Sequence, residues 1–221
     1  MRSLIFLLIL SFNTSAALYD RGDGLIYDDV LDITWLQDAN YVETSGYGAD
    51  VGGMLALGYM DWHTAKIWAA QLSYGGYDNW RLPSANLMNE EDPCHSYIGG
   101  CDFGYNSTGE MGHMLINNLG NTGLSPDSYN FSFIDATSGV ITSFFNLWDA
   151  HYWLDEEFTH STSEYDEVNA WVYSISGNVQ GIKSKNLLYF GWAVHDGDIG
   201  ASPVPLPAGI YLFLSGLVGL G

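Results

Sequence analysis

The sequence predicts an α+β domain in which one main helix is inserted among short antiparallel strands. Residues 61–72 place apolar side chains at the helical period. Residues 169–182 and 186–198 alternate apolar and polar side chains as strands do, and a Gly177-Asn178 pair marks a hairpin turn between two strands. Helices mixed with antiparallel strands, without a repeat at a fixed period, define the α+β class.

The remaining elements follow in chain order. Residues 24–42 predict a β-hairpin, and the glycine-rich residues 46–58 predict a loop. Asp61 is the expected N-cap of the main helix, and a glycine pair should end it. Further predictions are a short buried strand at Trp80 and Leu82, short helices after Ser84 and around residues 111–119, and loops with short strands over 121–142.

The composition is strongly acidic. The 221 residues carry 26 Asp and Glu against 6 Lys and Arg, a formal charge of −20, while aromatic residues reach 15%. A field of this sign repels nucleic acid and anionic lipid headgroups. It also disfavours an anionic polysaccharide as a direct ligand unless divalent cations bridge the two.

Residues 1–17 resemble a secretory signal peptide. Arg2 supplies the positive start, an apolar run follows, and small residues precede the expected cleavage before Leu18. The apolar run is too short to span a bilayer. The sequence therefore predicts an exported protein with a folded domain over 18–200, and loss of Arg2 changes the formal charge from −20 to −21.

Two cysteines, Cys94 and Cys101, enclose a loop with two glycines. Export permits oxidation, so a small loop-closing disulfide is the favoured interpretation. The alternative, a metal site, needs more ligands than His95 between them supplies.

Arg81 follows Trp80 and precedes Leu82-Pro83, a setting that predicts partial burial. A guanidinium in such a place needs a carboxylate partner, and Glu110 is the expected one. We expect this ion pair to be structural.

No motif for catalysis is present in the sequence. The six histidines are scattered, and there is neither a nucleophile elbow nor a phosphate-binding loop. No cofactor is predicted. Calcium is the one metal considered, because Asp20–Gly24 and His195–Gly200 place carboxylates beside glycines, but neither matches the twelve-residue calcium loop.

Three stretches resemble the Lcl C-terminal domain family of exported bacterial proteins. They are "GGYDNWRLPS", "GEMGHML" with "LGN" behind it, and the strand-rich run from "YWLDEEF" to "YFGWAVHDGD". The resemblance covers nearly all of residues 24–198 in the expected order. It implies a C-type lectin-like fold, related to formylglycine-generating enzymes, with small twisted antiparallel sheets, flanking helices and long loops. The reactive cysteine context of those enzymes is not matched.

The last segment, residues 201–221, resembles a PEP-CTERM sorting signal that ends in an apolar helix. The motif is Val204-Pro205-Leu206-Pro207-Ala208, where the family usually has Pro-Glu-Pro. The resemblance implies processing by an exosortase-type enzyme. An apolar helix over 206–221 would span about 24 Å against roughly 30 Å of hydrocarbon, and no Lys or Arg follows it, so we expect transient membrane insertion.

Three functions remain open at this point. The first is a non-enzymatic surface or exopolysaccharide-matrix protein that binds a glycan or another protein through aromatic-rich loops. The second is a periplasmic enzyme of the formylglycine-generating class. The third is a structural coat protein without a defined ligand.

Overall fold

The computed structural model describes residues 17–49, 52–85, 104–105, 108–121, 131–159 and 168–200. Several predicted features lie outside the described residues: the signal peptide up to residue 16, Cys94 and Cys101 with their disulfide, the sorting motif and the apolar helix behind it, and the helix expected after Ser84. The strands are β1 Leu18–Gly22, β2 Leu25–Asp28, β3 Ile33–Leu36, β4 Gly104–Tyr105, β5 Ser132–Ile134, β6 Ile141–Ser143, β7 His151–Glu157, β8 Asn169–Ser174, β9 Val179–Ser184 and β10 Val194–Asp196. The helices are α1 Tyr41–Thr44, α2 Trp62–Gln71 and α3 Glu110–Gly112, with 3-10 turns at Leu55–Leu57 and Ile175–Gly177 and a π-helical segment at His113–Asn118.

The first sheet has the strand order β1-β2-β3-β10 and is antiparallel. Strands β2 and β3 form the hairpin predicted within residues 24–42, and Asp32 turns the chain between them with a φ of 52°. Ile26 and Trp35 face each other in this register and are fully buried. Strand β10 pairs with β3, so the last described strand lies beside the first hairpin.

The second sheet has the strand order β4-β9-β8-β7. The turn predicted at Gly177-Asn178 joins β8 to β9, with Asn178 in the left-handed region at a φ of 51°. Burial along β8 does not alternate from residue to residue as predicted, because Ala170 and Val172 are buried as well as Trp171 and Tyr173. Both faces of β8 are therefore covered at this point, which periodicity alone does not predict.

The main helix α2 begins as predicted. Asp61 accepts a hydrogen bond from the backbone N–H of Thr64 at 2.7 Å, which satisfies one of the free donors at the helix start. The apolar face is buried, and the Trp62 indole N–H donates to the Leu154 carbonyl on β7 at 2.9 Å. The helix ends at Gln71, before the glycine pair.

Two features were not predicted: the 3-10 turn at Leu55–Leu57 inside the glycine-rich loop, and α1, which precedes that loop. The short strands expected within residues 121–142 are confirmed as β5 and β6, which form a separate two-stranded sheet. The helix expected around residues 111–119 is present as α3 and its π-helical continuation.

Tryptophan side chains fill much of the core. Two of the indole N–H groups donate to backbone carbonyls, that of Trp153 to Met60 at 2.8 Å and that of Trp192 to Leu36 at 2.7 Å. The described residues thus form an α+β arrangement of small antiparallel sheets and few helices. In this part of the chain, no helix is both long and apolar enough to cross a membrane.

Candidate functional site

The ion pair expected between Arg81 and Glu110 is present. Both guanidinium Nη atoms donate to the Glu110 carboxylate at 2.8 Å, and the Arg81 backbone pairs with Val194 of β10. Asp196 is a second partner that the sequence analysis missed, with its Oδ1 2.7 Å from Nη2. Burial acts to lower the Arg81 pKa, but the hydrogen bonds and charges of the two carboxylates outweigh it and raise that pKa.

The Arg81 network (Arg81, Glu110, Asp196) is saturated with internal contacts. Glu110 also accepts the Ser84 backbone N–H at 2.6 Å, and Arg81 donates to the Leu82 carbonyl at 3.0 Å. The side chain of Arg81 is 27% exposed and that of Glu110 12%. These contacts join residues 81–84 to α3, through Glu110, and to β10, through Asp196. The network is therefore a structural cross-link.

The two stretches considered for calcium, Asp20–Gly24 and His195–Gly200, lie against each other. Arg21 forms two hydrogen bonds to Asp198, at 2.6 and 2.8 Å, and thereby neutralises one carboxylate. Asp196 is bound by the Arg81 network. Among the described residues, no group of three or more His, Cys, Asp or Glu side chains could hold a metal ion.

His113, expected to stand alone, faces a buried carboxylate. Its Nε2 lies 3.8 Å from Oδ2 of Asp28, and its Nδ1 lies 3.0 Å from the amide nitrogen of Asn117. Burial raises the pKa of Asp28, which is completely shielded from solvent. The pair joins the first residue of the π-helical segment to the end of β2, and both side chains are buried away from any ligand in solvent.

The best candidate site is the aromatic cleft, lined by Glu43, Leu57, Tyr59, Trp148 and Phe190, with a volume of about 240 Å³. Trp148 is 54% exposed and Leu57 50%. Exposed apolar side chains that line one concave surface together are typical of binding sites. The cleft therefore presents an aromatic face that the fold itself does not use.

The floor of the cleft is held by backbone pairing. Met60 and Tyr189 form an antiparallel bridge, which places Tyr59 and Phe190 side by side with ring centroids 4.3 Å apart. Phe190 in turn lies 5.5 Å from the ring of the buried Tyr152.

The Trp148 side of the cleft is fixed by the Tyr152 hydroxyl. The backbone N–H of Trp148 donates to that oxygen at 2.8 Å. Burial is the main cause that raises the pKa of Tyr152, so the phenol stays neutral. The exposed indole is thus presented from an anchored backbone.

The Glu43 side is fixed by a buried polar group. Asn40 donates from its amide to Oε2 of Glu43 at 2.8 Å and to the Leu57 carbonyl at 3.3 Å, which holds α1 against the 3-10 turn. Gly58, at a φ of 88°, makes room for Asn40, because a Cβ there would lie 1.9 Å from the amide oxygen.

Asp38 links the two sides of the cleft. Its Oδ1 accepts the Asn40 backbone N–H at 3.0 Å and the Asn146 amide at 2.9 Å. Asn146, at a φ of 55°, lies two residues before Trp148. One buried carboxylate therefore sets the distance between the segment that carries Glu43 and the loop that carries Trp148.

The cleft brings apolar and polar groups together. It combines an exposed aromatic face with a carboxylate whose Oε2 is already bound by Asn40 and whose Oε1 can accept from a ligand hydroxyl. The sequence analysis did not single out any of these residues. Its only signal was the general expectation of aromatic-rich loops, because the five residues are scattered over residues 43–190.

No family model, no curated protein and no solved structure matches this chain. The resemblances to the Lcl C-terminal domain family and to the PEP-CTERM signal therefore remain predictions from the sequence.

Proposed function

We propose that this chain is an exported bacterial protein of the cell surface or exopolysaccharide matrix, and that it binds a glycan, without catalysis, in the aromatic cleft. The observation that carries the proposal is that the exposed Trp148 indole and the Glu43 carboxylate line the same cleft. The C-type lectin-like fold, the processing by an exosortase-type enzyme and the transient membrane insertion belong to the same proposal.

The match to a sugar rests on two complementary surfaces. A sugar ring has a face of C–H groups that packs on an aromatic ring, and hydroxyls at its edge that donate to a carboxylate. Trp148 offers the first surface and Oε1 of Glu43 the second. The cleft is smaller than the roughly 300–1,000 Å³ typical of drug-sized ligands, which favours a single sugar unit of a longer chain.

The negative charge of the protein limits which class of sugar can bind in the cleft. With a formal charge of −20 and Glu43 in the cleft, an anionic unit would be repelled. A neutral hexose or N-acetylhexosamine is therefore the preferred ligand.

The enzymatic alternative has less support. Glycoside hydrolysis commonly uses two carboxylates across the scissile bond, whereas Glu43 is the one carboxylate among the described lining residues. Acting as a formylglycine-generating enzyme would need reactive cysteines, and the sequence context of Cys94 and Cys101 does not match that of those enzymes.

A glycan array with the exported protein, with and without calcium, tests the proposal. A neutral glycan that binds should then be titrated against Trp148→Ala and against Leu187→Ala, a control whose side chain is 44% exposed outside the cleft lining. We expect at least about a tenfold loss for Trp148→Ala, which corresponds to about 1.4 kcal/mol, and no change for the control. Equal binding by both variants would move the site elsewhere, and no binding on the array would favour the structural coat protein.

A further inference from the structure

The hairpin formed by β5 and β6 exposes an apolar surface. Ile134 and Ile141 lie opposite each other in the register and are 67% and 72% exposed, and Val140 beside them is 60% exposed. We call these three residues the apolar tip. Phe133, which precedes Ile134 on β5 and points to the opposite face, is 8% exposed, so the hairpin already buries one apolar face and leaves a second one uncovered.

The apolar tip is also free of charge. Within residues 131–147 the only charged residue is Asp135. It is 3% exposed, with Oδ1 bound by the Asp20 backbone N–H and Oδ2 by Ser138. In a chain with a formal charge of −20, an uncharged aliphatic surface is a local exception, and exposed apolar patches commonly mark a contact with another phase or molecule.

The position of the hairpin indicates what covers it. Ala136 donates to the Leu18 carbonyl at 2.9 Å and Asp135 accepts from Asp20, so the hairpin is fixed on β1. Gly200, the last described residue, lies against the same strand, since a Cβ on it would be 3.2 Å from Cβ of Arg21. Residues 201–221, which follow directly, contain no charged residue.

We propose that the apolar tip contacts the surface of a lipid bilayer beside the point where residues 201–221 enter it. This inference rests on the membrane association included in the proposed function. A single weak apolar anchor gives only marginal, reversible binding, and stable attachment takes a second contact. Insertion of residues 201–221 would hold the folded domain at the bilayer, so an apolar surface of that domain would meet the lipid at high effective concentration.

The charge of the protein predicts which lipids permit this contact. The formal charge of −20 means that anionic headgroups would repel the protein as a whole. Binding should therefore be stronger to vesicles of pure phosphatidylcholine than to vesicles that contain about one third phosphatidylglycerol, and added salt should reduce the difference.

The test uses the full chain and its flotation with phosphatidylcholine vesicles. The variant Ile134→Thr with Ile141→Thr keeps β-branched side chains and so preserves the hairpin. The matched control, Leu187→Ser with Leu188→Ser, changes two side chains that are each 44% exposed. We expect a several-fold lower bound fraction for the hairpin variant, an unchanged fraction for the control, and unchanged melting temperatures for both.

Hydrogen exchange on the unmodified chain gives a second readout. Vesicles should slow exchange in peptides from residues 131–145 and leave those from residues 183–190 unchanged. The inference would be overturned if the chain binds vesicles but exchange in residues 131–145 does not change and the hairpin variant floats as well as the unmodified chain. Membrane association itself would then still stand. An unmodified chain that does not float at all would overturn both, but not glycan binding, which the array tests separately. A dimer in sedimentation that the hairpin variant abolishes would assign the surface to a second copy and overturn the lipid contact.

Discussion

The Arg81 network and the aromatic cleft both contain carboxylates held by hydrogen bonds. They differ in whether any of their groups remain available to a ligand. In the network, every nitrogen of the Arg81 guanidinium donates to a carboxylate, a backbone carbonyl or both. In the cleft, the polar groups hold one another in place at the back, while the indole of Trp148 and one oxygen of Glu43 remain open at the front. Residues of the first kind should therefore affect stability, and residues of the second kind should affect binding.

The largest effect is expected for Arg81→Ala. The substitution leaves Glu110, at 12% exposure, without its guanidinium partner, and breaking one side of a largely buried pair costs on the order of 3 kcal/mol of unfolding free energy. Chemical denaturation measures this value. The control is Arg21→Ala, whose partner Asp198 is 30% exposed and which should lose less. A free energy of unfolding unchanged by Arg81→Ala would show that the network does not stabilise the fold.

Asp135, a buried carboxylate that accepts several hydrogen bonds, predicts that the free energy of unfolding depends on pH. Burial acts to raise the pKa of Asp135, but the hydrogen bonds from Ser138 and from the Asp20 backbone outweigh it and lower that pKa to about 2, from an ordinary value of 3.8. A depressed pKa stabilises the fold fully above about pH 4, and the contribution is lost as the pH falls through about 2.

The variant Asp135→Asn isolates this contribution. The difference in unfolding free energy between the unmodified protein and the variant should be largest near pH 6 and shrink between about pH 4 and pH 2. Denaturation at several pH values measures it. A difference that stays constant down to pH 2 would contradict the pKa shift.

The sequence predicted those parts of the fold that depend on local patterns. Asp61 and the apolar period define α2, and Gly177-Asn178 defines the turn between β8 and β9. The 3-10 turn at Leu55–Leu57 has no such signal, because its position depends on Asn40, fifteen or more residues away, which reaches the Leu57 carbonyl. Contacts of this kind arise only after the chain has folded.

The same dependence on long-range contacts explains why the Arg81–Glu110 pair could be predicted from the sequence and the aromatic cleft could not. Arg81 could be predicted to need a carboxylate because a guanidinium beside Trp80 and Leu82 must be paired, and the expected partner, Glu110, is the one that the structure shows. The cleft could not be predicted, since Glu43, Tyr59 and Trp148 come together through the Asp38 contacts and the Met60–Tyr189 bridge. No single residue of the cleft carries a chemical requirement that points to the others.

A smaller effect on stability is expected for Tyr152→Phe, together with an effect on binding. Removal of the hydroxyl leaves the Trp148 backbone N–H without its acceptor, which should cost about 1–2 kcal/mol. The Trp148 loop then loses its anchor, so glycan affinity should fall although Tyr152 is absent from the cleft lining. Tyr189→Phe is the matched control. Unchanged affinity with reduced stability would show that the anchor does not position Trp148.

The smallest effect on stability is expected for Trp148→Ala, although its effect on glycan binding should be the largest. The indole is 54% exposed, and the hydrogen bond to Tyr152 comes from the backbone, so the substitution removes little that the fold uses. We expect a change below about 0.5 kcal/mol in the free energy of unfolding. Trp148→Phe keeps an aromatic face and should retain part of the affinity, whereas Trp148→Ala should not. A destabilisation by Trp148→Ala as large as that by Arg81→Ala would mean that Trp148 is a structural residue, and the distinction between the two regions would fail.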